Sequence, residues 1–193
     1  GAIIERVSGQ TYPEYIREHI LDPLGMKDTG INFLDQIVEN RAVGYHKLPS
    51  GQFIRNVFSM PPASADGGLE TTVWDLLKFD QALYTDKLIS EESKSKMFTP
   101  NLAHYGYCWR ITEKYGNTVI SHGGGAPGIS ASFLRYLNDR YTIIILSNND
   151  ADRGSLARII EAIVFGREYD PYGMTWDDHL KDNPLLRQAI RET

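Results

Sequence analysis

The chain is short of several things that would decide its class. It has one cysteine, Cys108, in 193 residues. A single thiol excludes an internal disulfide and any cysteine-cluster metal site. No apolar run approaches the roughly 20 residues that a membrane helix needs; the longest candidate is the short Ile143-Ile144-Ile145-Leu146 core. Basic charge is not in excess. Twenty Lys and Arg stand against 25 Asp and Glu, a net charge of −5. A nucleic-acid partner is therefore not expected, because neutralising phosphates needs a basic footprint. Internal repeats and low-complexity linkers are also missing. The five histidines show no His-Glu-x-x-His or similar spacing, and His19, His46, His104 and His179 are scattered, so no metal site is expected.

What remains is globular in composition, with 41% hydrophobic and 23% charged residues, close to ordinary averages. The first nine residues carry neither a charged signal-peptide region nor a cleavage site. Ile3, Ile4 and Val7 fall on one face of a helix, and Gly9 suits its left-handed C-cap. That helix starts at full amplitude without an N-cap residue, which predicts further chain upstream. Thr11 and Glu14 form a capping-box pattern around Pro13. The helix they open is expected to bury Tyr15, Ile16, and His19 or Ile20, and to stop before Pro23. Residues 31–41 are ambiguous. Ala42–His46 and Gln52–Val57 flank a Leu48-Pro49-Ser50-Gly51 turn and read as a hairpin. Thr71 or Thr72 caps a helix carrying Val73, Leu76, Leu77, Phe79, Ala82 and Leu83. Ser90 caps a short charged helix ending near Met97.

From Tyr105 the pattern changes. Tyr105–Ile111, Thr118–His122, Ser130–Leu137 and Tyr141–Ser147 are strand-like and joined by tight turns, which predicts an antiparallel meander. Tyr141–Leu146 is apolar on both faces, as a central strand would be. One pairing partner is its neighbour in sequence, and no other segment supplies a second. An apolar helix follows at about Arg153–Phe165, with Leu156, Ile159, Ile160 and Ile163 on one stripe. Residues 167–193 are expected to wrap the surface as a tail.

The most specific cluster is Ser121-His122-Gly123-Gly124-Gly125-Ala126-Pro127-Gly128. Read as a glycine-rich loop at a strand end, it places unhindered backbone N–H groups beside a titratable ring. Such donors stabilise an oxyanion. The plainer reading is a hairpin loop with a surface histidine. The α/β-hydrolase version of His-Gly-Gly-Gly is excluded, because Gly128-Ile129-Ser130-Ala131-Ser132 lacks the closing glycine of a nucleophile elbow. Asp66 beside Gly67-Gly68 is read as a turn former. Tyr105, Tyr107 and Trp109 are read as packing residues, and Cys108 as a small core or edge residue.

The motifs also occur in an order that resembles one family. Ile20–Thr29 carries a Pro-Leu-Gly-Met-x-Asp-Thr signature. Gly67-Gly68-Leu69-Glu70-Thr71-Thr72 precedes Asp75-Leu76. Tyr105-Gly106-Tyr107-Cys108-Trp109 is similar to Tyr-Gly-x-Gly-Trp. His122-Gly123-Gly124, Pro127-Gly128 and Leu146-Ser147-Asn148 complete the series. Together they resemble the C-terminal portion of the serine beta-lactamase-related family, which includes class C beta-lactamases, D-alanyl-D-alanine carboxypeptidases and esterases. The implied fold is α/β (α+β), beta-lactamase/transpeptidase-like: an antiparallel sheet flanked by helices, its N-terminal part missing. Residues 1–193 would be a C-terminal fragment of one such domain. About 21–99 would be mainly helical, and about 100–166 would supply strands and the last helix.

The implied chemistry is acyl transfer to serine without a cofactor, on a small-molecule or peptidoglycan-like amide, ester or lactam. Of the family's three motifs only the strand-edge His-x-Gly is here. By resemblance His122 orients substrate and tunes a tyrosine base, Gly123 and Gly124 line the edge, and Gly125 donates to the oxyanion hole. Ser93-Lys94-Ser95-Lys96 and Tyr136-Leu137-Asn138 match Ser-x-x-Lys and Tyr-x-Asn only formally. The first lies on a charged helix face and the second leads into a turn. The fragment is thus expected to be inactive alone. The alternative is a non-catalytic binding module that keeps the fold. Family habit implies a periplasmic or extracellular location. A bare edge at 141–147 implies self-association.

Overall fold

The computed structural model describes residues 1–31, 36–56, 65–149 and 153–169. The chain divides into two compact units, 1–151 and 152–193. The first unit opens with helix α1 (Ala2–Ser8), closed by Gly9 at φ 75°, the left-handed cap its sequence predicts. Ile4 packs against the core of the following helix, but Ile3 and Val7 stand exposed. The expected single buried face is therefore split, since only the Ile4 side of α1 meets α2 (Tyr12–Ile16). The capping box forms as expected: Thr11 accepts from the Glu14 N–H, and the Glu14 carboxylate accepts from Thr11.

Pro23 does not end this helical segment. A π-helical turn (Arg17–Leu21) leads into α3 (Asp22–Leu24), and the Asp22 N–H donates to the Arg17 carbonyl. Proline has no N–H to offer, but in the first turn of α3 none is needed. The wider π turn changes the register ahead of it. Tyr12, Ile16, Leu21 and Met26 form the resulting core, while His19 is exposed.

Residues 25–72, expected within a mainly helical region, instead hold turns and short strands where described. β1 (Gly30–Ile31) pairs antiparallel with β4 (Leu69–Glu70). β2 (Tyr45–Lys47) pairs with β3 (Phe53–Arg55) across the predicted turn. Residues 32–35, in the ambiguous segment, and Val57, the end of the expected second strand, lie outside the described residues.

Thr72 caps α4 (Val73–Ala82) and Ser90 caps α5 (Glu91–Met97). The periodicity of α4 missed its most buried members. Asp75 and Asp80 are buried, whereas Val73 is exposed. In α5, Lys94 is buried rather than solvated. Its ammonium donates to the Thr85 carbonyl at 2.9 Å and pairs with Asp86 and Glu91.

The meander is β5 (Arg110–Lys114), β6 (Asn117–Ala126), β7 (Ile129–Tyr136) and β8 (Tyr141–Ser147), in that order across one antiparallel sheet. Tyr115 and Gly116, both at positive φ, make the first two-residue hairpin turn, as the sheet twist favours. β5 starts later than expected. Leu102–His104 form a 3₁₀ turn, Tyr105 makes only an isolated bridge to Arg110, and Cys108 is exposed at φ 65°. The apparent Tyr105-Tyr107-Trp109 alternation is thus not strand alternation. Trp109 packs, with Leu83 and Ile120, in a second core, while Tyr105 and Tyr107 are exposed.

Asp80 ties α4 to the sheet. It accepts from Arg135 Nε at 2.6 Å and from the Thr142 hydroxyl at 3.0 Å. β8 carries buried Ile143 and Ile145 on one face and partly buried Thr142 and Ile144 on the other, which fits its two-sided apolar sequence. Yet it is an edge: among the described residues only β7 pairs along it. In the second unit, α6 (Arg153–Val164) is found where its sequence predicts. Its buried residues are Ser155, Ala157, Glu161 and Ala162, while Leu156 and Ile163 are exposed. Ile159 and Ile160 of the predicted stripe are half-buried, so it only partly matches the buried face. The tail beyond residue 169 lies outside the described residues.

Candidate functional site

The glycine run is not a loop. β6 continues through His122, Gly123, Gly124 and Gly125 to Ala126, each opposite a residue of β7. The turn proper is only Pro127-Gly128. The reason is register: every residue from Val119 to Ala126 has a partner on β7.

β5 pairs with β6 only from Asn117 to Ser121. Beyond Ser121, no described strand flanks β6 on that side. Antiparallel strands direct alternate residues' backbone groups to alternate neighbours. The Leu137 N–H donates to the Thr118 carbonyl, so Thr118 and, at steps of two, Ile120, His122, Gly124 and Ala126 face β7. Gly123 and Gly125 therefore turn their N–H and C=O groups to the edge that no described strand flanks. Neither has a side chain to obstruct an incoming backbone or carbonyl.

His122 projects from the same sheet face as Ile120 and Phe133, its partner across β7. Trp109 packs on Phe133 with ring centroids 5.6 Å apart. His122 itself is exposed at the rim of this aromatic core. Tyr105 meets its ring in a T-shaped contact, centroids 6.2 Å apart and planes at 81°. The four expected site residues, His122, Gly123, Gly124 and Gly125, thus lie consecutively along one accessible strand edge.

Sequence reasoning missed what braces this edge. The Gly128 carbonyl accepts from the Tyr45 N–H, which also donates to Asn148. The Asn56 amide donates to the Pro127 carbonyl, and the Asn56 N–H donates to Gly44. Asn148 donates from its side chain to the Val43 carbonyl at 3.0 Å. A Cβ on Gly44 would lie 2.8 Å from the Gly128 oxygen, and one on Gly128 would lie 2.8 Å from the Asn56 Cβ. The available signal was a glycine just before a strand, which marks close backbone approach.

Other motifs prove structural. Asp75 Oδ2 accepts from the Asp28 N–H at 2.8 Å and the Thr29 hydroxyl at 2.9 Å; Oδ1 pairs with Lys78 at 2.7 Å. Burial opposes its charge, but the hydrogen bonds from Lys78, Thr29 and Asp28 outweigh it and hold the carboxyl below the usual range. This carboxylate is why the Asp-Thr and Thr-Thr signatures occur together. Asp66 sits exposed in a bend, as a turn former does. It also acts at a distance: burial, then the Asp66 charge, raises the Tyr12 phenol. Ser93 is exposed and Lys96 pairs with Glu92 at 2.7 Å. Tyr136 is fully buried and Asn138 accepts from the Thr118 N–H. Neither formal motif forms a nucleophile site. Among the described residues no His, Cys, Asp or Glu cluster could hold a metal ion, and no helix is long and apolar enough to cross a membrane.

A family model described as Beta-lactamase matches residues 1–165. The chain is 32% identical to penicillin-binding protein 4* of Bacillus subtilis (strain 168), covering 88% of this chain and 43% of that protein. Its fold is similar to a penicillin-binding protein from Bacillus halodurans, with TM-score 0.78, 27% identity, and 84% and 53% of the two chains covered. It is equally similar to an octameric penicillin-binding protein homologue from Pyrococcus abyssi, with TM-score 0.78, 27% identity, and 87% and 41% covered. The chain therefore spans about half the length of these proteins or less.

Proposed function

Because the chain belongs to the beta-lactamase family, we propose that it is the C-terminal part of a serine hydrolase that forms an acyl-enzyme on an amide, ester or β-lactam. The observation that carries this reading is the edge of β6 beyond Ser121, which no described strand flanks. It offers the Gly123 and Gly125 backbone groups next to the exposed His122 ring. An extended acyl substrate would lie along that edge. Serine from a Ser-x-x-Lys segment outside these 193 residues attacks the carbonyl carbon. Its proton reaches the leaving amine or alkoxide through a neighbouring base as the old acyl bond breaks, and water then cleaves the acyl ester. The Gly125 N–H, with the serine's own N–H, holds the oxyanion. His122 orients the substrate and tunes the base.

The test uses two polypeptides. The 193 residues alone should hydrolyse nitrocefin and p-nitrophenyl esters at background rate. A polypeptide extended to the length of the relatives should form a covalent adduct with a fluorescent penicillin, and lose it when the Ser-x-x-Lys serine becomes alanine. Serine-dependent turnover by the short chain would overturn the division of the site. No adduct with the long one would favour the binding-module reading.

The second edge of β8 belongs to the same proposal. Among the described residues only β7 pairs along β8, and an apolar strand edge recruits another strand. We expect it to pair with the rest of the parent protein, or with a second copy when that is absent. Light scattering should show concentration-dependent association of the short chain, reduced by Leu146→Lys. A monomer at all concentrations would contradict it.

A further inference from the structure

We propose that Tyr105 is a positioning residue for His122. An exposed imidazole at a strand edge samples several rotamers. Here one side of the ring is occupied by Tyr105 in a T-shaped contact, a favoured aromatic arrangement. The tyrosine is itself held through its ring and through its backbone. Arg110 lies over its ring, 5.8 Å from the centroid, and its backbone bridges to Arg110. Its N–H donates to Leu102 at 3.0 Å, and its carbonyl accepts from the Asn101 N–H at 2.7 Å.

The loop that carries it is built at a conformational cost. Ala103, His104 and Cys108 adopt left-handed φ values of 53°, 62° and 65°, which non-glycine residues avoid. Such strain persists only where surroundings over-determine it, and it concentrates near functional sites. The anchors are visible. Tyr107 donates to the Met97 carbonyl at 3.0 Å, and Gly106 donates to Trp109 at 2.9 Å. A Cβ at Gly106 would lie 2.1 Å from the Met97 oxygen, so glycine alone permits this path. The result is a short, tethered arch that delivers one aromatic ring to the only histidine on β6. Simple core packing does not explain it, because Tyr105 remains 37% exposed. It fixes the imidazole plane where the Gly123–Gly125 edge begins, a pre-organisation that catalysis rewards.

The geometric part stands on the contacts alone; its kinetic consequence rests on the hydrolase reading. Proton NMR of the 193-residue chain should show a cross-peak between the two rings, and His122 ring shifts displaced by the tyrosine ring current. Tyr105→Phe should retain both. Tyr105→Ala and Tyr105→Leu should move the His122 shifts to those of a free imidazole, while β7 and β8 amide shifts stay put. In the extended polypeptide, Tyr105→Ala should lower kcat roughly ten- to hundredfold with little change in KM, and Tyr105→Phe should restore it. Unchanged His122 shifts in Tyr105→Ala, or unchanged turnover in an active extended enzyme, would overturn the proposal. An extended polypeptide that forms no acyl adduct would refute the hydrolase reading instead, leaving the NMR result to decide the positioning role.

Discussion

Asp75 offers the sharpest test of how this unit is held together. Its side chain is fully buried. Replacing it with alanine removes the acceptor of the Asp28 N–H, the Thr29 hydroxyl and the Lys78 ammonium; the Thr29 hydroxyl keeps its contact with Thr71. The two neutral donors are each worth about 1 kcal/mol. The lysine contact is charge-assisted, but Lys78 is 43% exposed and also donates to the Gly25 carbonyl, so only about 1 kcal/mol is assigned to it. The total loss is about 3 kcal/mol. With a urea slope of about 2 kcal/mol/M, the unfolding midpoint should fall by about 1.5 M, read by tryptophan fluorescence. Asp75→Asn keeps the shape and one acceptor and should lose less. The pH dependence has a definite sign. The folded pKa lies below the ordinary aspartate value of 3.8, so the stabilisation is complete above that value. It fades as pH falls through the lower folded value. The gap between wild type and Asp75→Ala should therefore be full at about pH 7 and shrink at about pH 2.5. A midpoint shift below about 0.3 M, or a gap independent of pH, would refute the reasoning.

Asp80→Ala should cost about 3–5 kcal/mol, because it leaves Arg135, 1% exposed, without its carboxylate. The double variant Asp80→Leu/Arg135→Met should recover much of that loss in the same urea titration. Gly128→Ala should lower stability by about 2–3 kcal/mol, since both φ 76° and the nearby Asn56 Cβ oppose a side chain. Gly116→Ala, at φ 75° with open space around it, should cost only about 1 kcal/mol; equal melting-temperature losses for the two would show that the Asn56 contact is not a brace.

The candidate site could be named from the sequence because it is local. A histidine followed by three glycines carries its chemistry in consecutive residues, wherever the chain goes. Whether those glycines were loop or strand was not legible. That depended on β7 continuing opposite them while β5 stopped at Arg110, and neither event leaves a mark on residues 122–126 themselves. Gly44 and Asn56 were invisible for a similar reason: they act 84 and 71 residues from the turn that they clamp at Gly128 and Pro127.

The chain by itself determined the items whose physics is confined to a few neighbours. Thr11, Thr72 and Ser90 cap their helices because the side-chain oxygen reaches an N–H two or three residues on. Gly9 and Gly116 turn because they tolerate positive φ. The meander follows from short strands with tight turns. Tertiary structure decided the rest. Asp75, Asp80, Lys94 and Arg135 look like surface charges in sequence, yet all are buried. Asp75, Asp80 and Arg135 have partners brought from distant parts of the chain, and Lys94 is met by Thr85 and Asp86 of the preceding turn; burying a charge is tolerable only when such partners arrive. The same holds for His122. Its place in the sequence makes it a candidate, but only the fold brings Tyr105 against its ring and ends β5 before the edge beside it.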